Sequence, residues 1–317
     1  MQDKFYTITA ERPDLAAVDI GTQPGFIGSR LYPTVPVMEK SGVIYYLAVA
    51  SIADATAQTG RSAGVAPTAT QIAASNTTYT ATELVKRGSI VPDEVKSLGG
   101  IEKADHIGAR YAKRSVLRAR ELAIATQLLN RASSATFDGG KFTEQVQTIL
   151  DGMELYTGRT AVVGSKLVFK RIIRGMLGDT KIGPMLARIV SGTESMTAAR
   201  GLNIEQWGGA LALYLGVDDV LMANDSIWYN GIVSAVSQTV ADSLAVVKLD
   251  DDADILSHKV NPVLGKYYTF MPDGNQEFVV KSIRDDLNVN NHWDAFIWSN
   301  LVEFNAGAAA VITGVPN

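Results

Sequence analysis

Ser41–Thr82 reads SGVIYYLAVASIADATAQTGRSAGVAPTATQIAASNTTYTAT, 42 residues whose only charges are Asp54 and Arg61. Its leading end, Val43-Ile-Tyr-Tyr-Leu-Ala-Val49, is rich in strand formers, and a second extended piece follows around Thr77 to Val85. Between them lie Ala, Thr, Ser and Gly, with almost no large apolar side chain. Such a stretch buries too little apolar surface to offset its own ordering entropy. It is also far longer than an ordinary connection of about 2–6 residues. Two readings stand side by side: a disordered insertion, or a long two-stranded arm that orders against another subunit. A two-stranded ribbon is marginal alone, so the second reading needs a partner. Low charge suits a surface that loses its water in an interface. Tyr45, Tyr46, Asp54 and Arg61 are the residues this reading puts between subunits.

Downstream the chain changes character. From Gly99 to about Ala132 no Pro interrupts a helical pattern, and Gly108 is the only internal glycine. One apolar or small line runs Ala104, Gly108, Tyr111, Ser115, Leu122, Ala125, Leu129 and Ala132; a second includes Leu117, Ile124 and Leu128. At 1.5 Å per residue, about 34 residues span roughly 50 Å, which is the spine of an elongated body. Its polar face counts Lys103, Arg110, Lys113, Arg114, Arg118, Arg120 and Arg131 against Glu102, Asp105 and Glu121, seven minus three, net +4. That face is either solvated or a shallow strip turned to a polyanion. In the second case Arg110, Lys113, Arg114 and Arg118 do the neutralising.

Residues 1–34 mix Pro, Gly and Asp without a sustained period and read as an extended arm that needs a surface to lie on. Past Phe142, helix and strand alternate. A helix opens at Thr143, and a strand at Thr160–Val163 leads into a helix from Ser165 to Met176. A loop spans Gly178 to Arg200, a helix covers Ile204–Leu215, and a strand covers Asp219–Ala223. This is a mixed α/β domain. Lys166–Arg188 holds six basic and one acidic residue, net +5, whereas Asp218–Asp254 holds eight acidic and one basic, net −7. Opposite poles can join head to tail and close rings, with Lys166, Lys170, Arg171 and Arg174 meeting Asp250, Asp251 and Asp252. Solvation of both faces accounts for the same counts. The remainder is extended, from Tyr267–Phe270 through Glu277–Arg284 and Ala295–Phe304 to Ala308–Gly314.

Composition bounds the chemistry. With 317 residues, 46% apolar, 20% charged and a net charge of −4, the chain can bury a large core. Its surface as a whole is not built to grip nucleic acid. The absence of Cys removes disulfides, Cys-ligated zinc, iron–sulfur clusters and thiol nucleophiles. Met1–Tyr6 has no apolar signal core, and no run approaches the roughly 18 apolar residues of a membrane span. The expectation is a soluble chain made in the cytoplasm. Gly158–Lys166, GRTAVVGSK, puts five residues between its glycines and Ser before Lys. It therefore fails the phosphate-loop pattern and reads as strand, turn and Ser165-capped helix. Asp250-Asp-Asp-Ala-Asp254 is followed by Ile255 and Asn261 where a calcium loop needs Gly and Glu. His106, His258 and His292 stand far apart, and neither GxSxG nor GxGxxG occurs. Nothing here points to an enzyme, a cofactor or a metal.

The order of parts resembles the major capsid protein of tailed bacteriophages, the HK97-like fold, an α+β architecture. Val91-Pro-Asp-Glu94, between hairpin and helix, is similar to that family's lead-in to its P-domain. Leu202-Asn-Ile-Glu-Gln206 to Val220-Leu-Met-Ala-Asn224 resembles a helix–strand step of its A-domain, and Phe304-Asn-Ala-Gly-Ala-Ala-Ala-Val-Ile-Thr-Gly-Val315 its terminal strand. The resemblance divides the chain into an N-terminal arm (1–34), a long β-hairpin or E-loop (35–92) and a P-domain with the spine helix (93–154). An A-domain (155–270), P-domain strands (271–304) and a return strand to the A-domain (305–317) follow. It implies a shell protein forming hexamers and pentamers of an icosahedral head around double-stranded DNA. Such a protein resides in the virion, is assembled in the host cytoplasm with a scaffolding protein and a portal, and touches no membrane. The spine-helix basics would then neutralise phosphates without reading sequence. No Lys lies between Lys40 and Lys86, so the Lys–Asn weld some members make from the E-loop is not expected. Only 34 residues precede the hairpin, so the scaffold is expected to be a separate protein or a segment already removed. Two other readings remain: an encapsulin-type compartment of the same fold enclosing a cargo protein, and a soluble α/β enzyme or ligand-binding protein using the arm as a lid.

Overall fold

Thr82–Ile90 and Asn290–Glu303 lie side by side as antiparallel strands, Thr82 opposite Ser299 and Ile90 opposite Asn291. The rest of the molecule is built out from this pair. The structure, a computed structural model, describes residues 8–17, 25–49, 74–192, 204–250, 257–259, 261–271, 276–285 and 290–316.

In chain order, β1 (Ile8–Glu11) and the short α1 (Pro13–Ala16) precede α2 (Gly28–Leu31), β2 (Thr34–Val37), β3 (Ser41–Leu47), β4 (Ala74–Thr80) and β5 (Thr82–Ile90). Next come α3 (Pro92–Ser97), α4 (Ile101–Leu129), β6 (Ser133–Thr136), α5 (Phe142–Asp151), β7 (Arg159–Ser165), α6 (Lys166–Gly178) and α7 (Ile182–Ser191). Then follow α8 (Ile204–Leu215), β8 (Asp219–Ala223), α9 (Asp225–Trp228), β9 (Leu244–Leu249), β10 (Gly265–Phe270), β11 (Val279–Asp285), β12 (Asn290–Glu303) and β13 (Ala309–Thr313). A six-stranded sheet has the order β1-β11-β12-β10-β2, with β5 also paired to β12; a five-stranded sheet has the order β6-β13-β9-β7-β8; β3 and β4 form a ribbon of their own.

The five-stranded sheet carries the expected mixed α/β part of the chain. Ala161–Val163 of β7 and Leu244–Val247 of β9 are fully buried. They read as continuous apolar runs because the sheet is covered on both faces. Phe169, Ile172, Leu186, Trp207 and Leu211 supply the cover from α6, α7 and α8. Ser165 caps α6 as its position in the sequence suggests, its Oγ accepting from the Val168 amide at 3.2 Å. The expected loop from Gly178 to Arg200 is corrected in its first half, where Ile182–Ser191 is helical. Gly183 and Pro184 sit in that helix's first turn, where a missing amide donor costs nothing.

The spine helix α4 lies on the six-stranded sheet. Ala104, Ala109, Ala112 and Val116 pack against Trp293, Ala295 and Ile297 of β12. Tyr111, expected on the inner line, is 62% exposed. The phase of the helix carries the buried line through Ala112 and Val116 instead. Gly108 is where helix and sheet come closest: a Cβ there would lie 2.1 Å from the Trp293 ring.

The described parts of the arm before the hairpin lie on surfaces of the same chain. β1 adds to the edge of β11, Leu15 is buried against α4 and the sheet, and β2 runs parallel to β10. Of the segment 35–92, only β3 and β4 form the ribbon, because β5 has already joined the large sheet.

Candidate subunit interface

The ribbon's base is fastened to its own body. Alternation along β3 turns Ile44 and Tyr46 inward and leaves Val43 and Tyr45 outside, each 57% exposed. Tyr46 stacks on Phe304 with ring centres 5.1 Å apart, and Tyr79 of β4 stacks on Tyr268 at 5.0 Å. Burial pushes the Tyr268 phenol above its ordinary range. The Asn305 amide then clamps the ribbon: its Nδ2 donates to the carbonyls of Leu47 (3.2 Å) and Val263 (3.0 Å), and its Oδ1 accepts from the Val49 amide at 3.2 Å. Of the four residues expected between subunits, Tyr46 is thus an intrachain contact, a correction that follows from strand alternation. Tyr45 is open, and Asp54 and Arg61 lie outside the described residues.

The spine helix uses its buried charges to hold the N-terminal arm. Asp105 accepts from the Arg12 guanidinium at 3.1 Å and from the Trp293 indole at 2.9 Å. Lys113 is buried, donates to the Ala16 carbonyl at 2.8 Å and sits over the Phe278 ring. Arg120 pairs with Glu277, donates to Thr34 and covers the Tyr267 ring. Glu121 accepts from the amides of Ile27 (2.8 Å) and Gly28 (3.0 Å) and from the Trp228 indole (2.8 Å). Gly28 is required there, since its Cβ would meet Glu121 Oε2 at 2.5 Å. Lys113 is therefore corrected: it is a seat for the arm and does not face outward. What remains outside on α4 is Lys103, Arg110, Arg114 and Arg118 against Glu102, four basic to one acidic, on a face shared with Tyr111.

Around the five-stranded sheet, several described residues of the two expected poles are engaged inside the chain. Arg171 pairs with Asp242 at 2.6 Å and donates to the Tyr229 hydroxyl at 2.9 Å. Asp250 is paired with Lys266 at 3.2 Å in the interior and accepts from Ser257 at 2.7 Å. Asp218 accepts from the Thr160 amide and hydroxyl, which hold its carboxyl below the usual range. Asp219 bridges Arg30 and Arg159, and Asp225 takes the Leu167 amide. Arg171 and Asp250 are thus corrected from pole residues to internal ties. The physical reason is that charges flanking strand ends meet opposite charges of the same fold. Lys170 and Arg174 are exposed, Lys166 is half-buried, and Asp251 and Asp252 lie outside the described residues.

A cleft of about 360 Å³ is lined by Phe26, Ile27, Arg30, Lys166, Val220 and Met222. Among the described residues, no three His, Asp or Glu side chains converge as a metal site, and no helix is long and apolar enough to cross a membrane.

No family model and no curated protein matches the chain. Solved structures do. A phage-related protein from Bordetella bronchiseptica superposes with a TM-score of 0.60 at 14% identity, over 96% of this chain and 97% of that one. A structure from Microbacterium phage Oxtober96 gives 0.56 at 10% identity, over 92% of each chain. The capsid of a native GTA particle gives 0.54 at 12% identity, over 93% of this chain and 92% of that one. A two-stranded ribbon apart from the larger sheets, a long helix on a six-stranded sheet and a five-stranded sheet covered by helices together make the architecture that this chain adopts: the HK97-like capsid fold.

Proposed function

We propose that the chain is the shell subunit of a tailed-phage head, a structural protein whose copies form hexamers and pentamers of an icosahedral capsid around double-stranded DNA. The observation that carries this reading is the extent of the structural likeness, more than nine-tenths of both chains, with the capsid of a native GTA particle among the neighbours. The ribbon supports it: a two-stranded element outside both larger sheets, with Val43 and Tyr45 outward, gains stability from cover by another copy. The exposed basic strip of α4 supports contact with the packaged polyanion. On this reading the chain resides in the virion and works with a separate scaffolding protein and a portal. The test is expression of the full chain, and its recovery from infected cells, followed by electron microscopy and nuclease digestion. Closed particles are expected, and particles from infected cells protect double-stranded DNA. A chain that stays monomeric in both settings overturns the reading. Particles holding a protein cargo instead of DNA assign the fold to a compartment.

A further inference from the structure

We infer that β5 pairs with β5 of a second copy, antiparallel about a two-fold axis beside Val85, so that two six-stranded sheets join edge to edge. This goes beyond the shell reading, since it needs only two copies. β5 is the longest open edge of the two larger sheets: nine residues, against four each in β1, β2 and β6 and five in β8. Among the described residues it pairs with β12 alone, in unbroken register from Thr82 to Ile90. No further backbone hydrogen bond reaches residues 82–90. About half of its amides and carbonyls therefore face away from β12, an open template for another strand. Proline, a bulge or charge blunts such edges in other proteins. β5 has neither proline nor bulge, and its charges, Glu83, Lys86 and Arg87, are of both signs.

The order of those charges selects the register. A two-fold antiparallel pair keeps each sheet face with its like face, so the axis passes beside a residue and not between two. Centred on Val85, the pairing sets Glu83 opposite Arg87 on both sides of the axis and Val85 opposite Val85. Centred on Glu83, Lys86 or Arg87, it sets like charges face to face; centred on Leu84, it leaves each charge opposite a neutral residue. Within one copy Arg87 gives Nε and Nη2 to Asp294 at 2.7 Å each, which keeps Nη1 for a second acid. Glu83 is exposed. A row Asp294–Arg87–Glu83 of alternating sign then crosses the junction. Next to it, Val85 is 43% exposed and lies opposite Phe296, whose ring stacks on Trp298 at 6.0 Å. The axis therefore joins two apolar rows through Val85. On the other face the exposed Tyr111 lies beside Gly88 and flanks the edge.

Introduced cysteines read the register, because the chain has none of its own. Val85→Cys puts two thiols directly opposite, with Cα atoms about 5 Å apart and within disulfide reach. Glu83→Cys and Ser89→Cys, at exposed positions of the same strand, put theirs roughly 14 and 27 Å apart. The full chain is oxidised with copper–phenanthroline and read on non-reducing gels. Val85→Cys is expected to form covalent dimers at least about tenfold faster than either comparison. Glu83→Lys, with circular dichroism as the folding control, should raise the dimer dissociation constant about fivefold at low salt, because two cross-strand pairs are lost. Sedimentation velocity measures it. Equal cross-linking at the three positions, or a Glu83→Lys dimer as tight as the wild type, overturns the inference. So does a wild type that forms neither dimer nor larger assembly. Dimers linked through Val85→Cys that never build closed particles keep the pairing and strike the shell. Closed particles in which Val85→Cys does not cross-link keep the shell and strike the pairing.

Discussion

The Trp228 indole donates to the buried Glu121 carboxylate at 2.8 Å, joining α4 to α9 across 107 residues of chain. The same carboxylate takes the amides of Ile27 and Gly28, so one acid on α4 holds the start of α2 and α9 together. Replacing Glu121 by Ala leaves three interior donors without an acceptor. The expected cost is about 3–5 kcal/mol, since each unsatisfied buried group costs about 1–3 kcal/mol and the lost bonds are charge-assisted. Glu121→Gln keeps one acceptor and should fall between. Trp228→Phe removes only one bond and should cost about 1–2 kcal/mol. Urea denaturation of the three variants checks the order, and Trp228→Phe proving the most damaging would refute it.

Gly108→Ala sets two effects against each other. Helix propensity favours Ala by about 1 kcal/mol. The new Cβ would meet the Trp293 ring at 2.1 Å, where the ring is fully buried and tied to Asp105. Overpacking of a filled core costs about 1–3 kcal/mol, so net destabilisation of up to about 2 kcal/mol is expected, with a change in Trp fluorescence. A stabilised variant would mean that helix and sheet have room to part.

Shortening the ribbon should separate folding from assembly. Replacing residues 50–73 by a short glycine-containing turn leaves Asn305, the Tyr46–Phe304 stack and the Tyr79–Tyr268 stack in place. The melting temperature of the unassembled chain should stay within a few degrees, while closed particles fail to form. Normal particles, seen by electron microscopy, would remove the ribbon from the assembly mechanism.

Asp218 gives a signed pH test. The Thr160 amide and hydroxyl lower its pKa below the ordinary aspartate value of 3.8. The contribution to stability is present above that value and is lost as pH falls through the depressed one. Asp218→Asn removes it, so the gap between wild type and variant should be constant from pH 7 to about 5 and close below about 3.8. Thermal melts across that range check it; a gap that widens in acid contradicts the assignment.

Local pattern reached the architecture because its signals are local. A strand-forming, charge-poor ribbon, an uninterrupted helix and apolar runs such as Ala161–Val163 can each be read over ten or thirty residues. What escaped was long-range pairing. Asp105, Lys113, Arg120 and Glu121 look like a solvated face by composition, yet each is matched by a partner 86–188 residues away. Net charge by segment had the same weakness in the A-domain, where Arg171 and Asp242 sit in segments of opposite sign and neutralise each other. Tyr46 could have been told from Tyr45 by strand alternation once Ile44 was taken as the inward residue.

The outward strip of α4 makes the last prediction. With Lys113 and Arg120 committed inside, Arg110, Arg114 and Arg118 remain on the exposed face, where they would meet DNA backbone as unspecific charge. Each phosphate neutralised adds close to one to the slope of log affinity against log salt. The triple change to Gln should therefore lower that slope by about 2–3 for duplex DNA of any sequence. Circular dichroism serves as the folding control, since Arg118 contacts Ser226 at 3.4 Å and Arg114 has a partner of its own. Binding measured by fluorescence anisotropy at several salt concentrations reads the slope directly. An unchanged slope with intact particles would mean that the strip faces another protein surface, and the polyanion role of the spine would then pass to a different part of the chain.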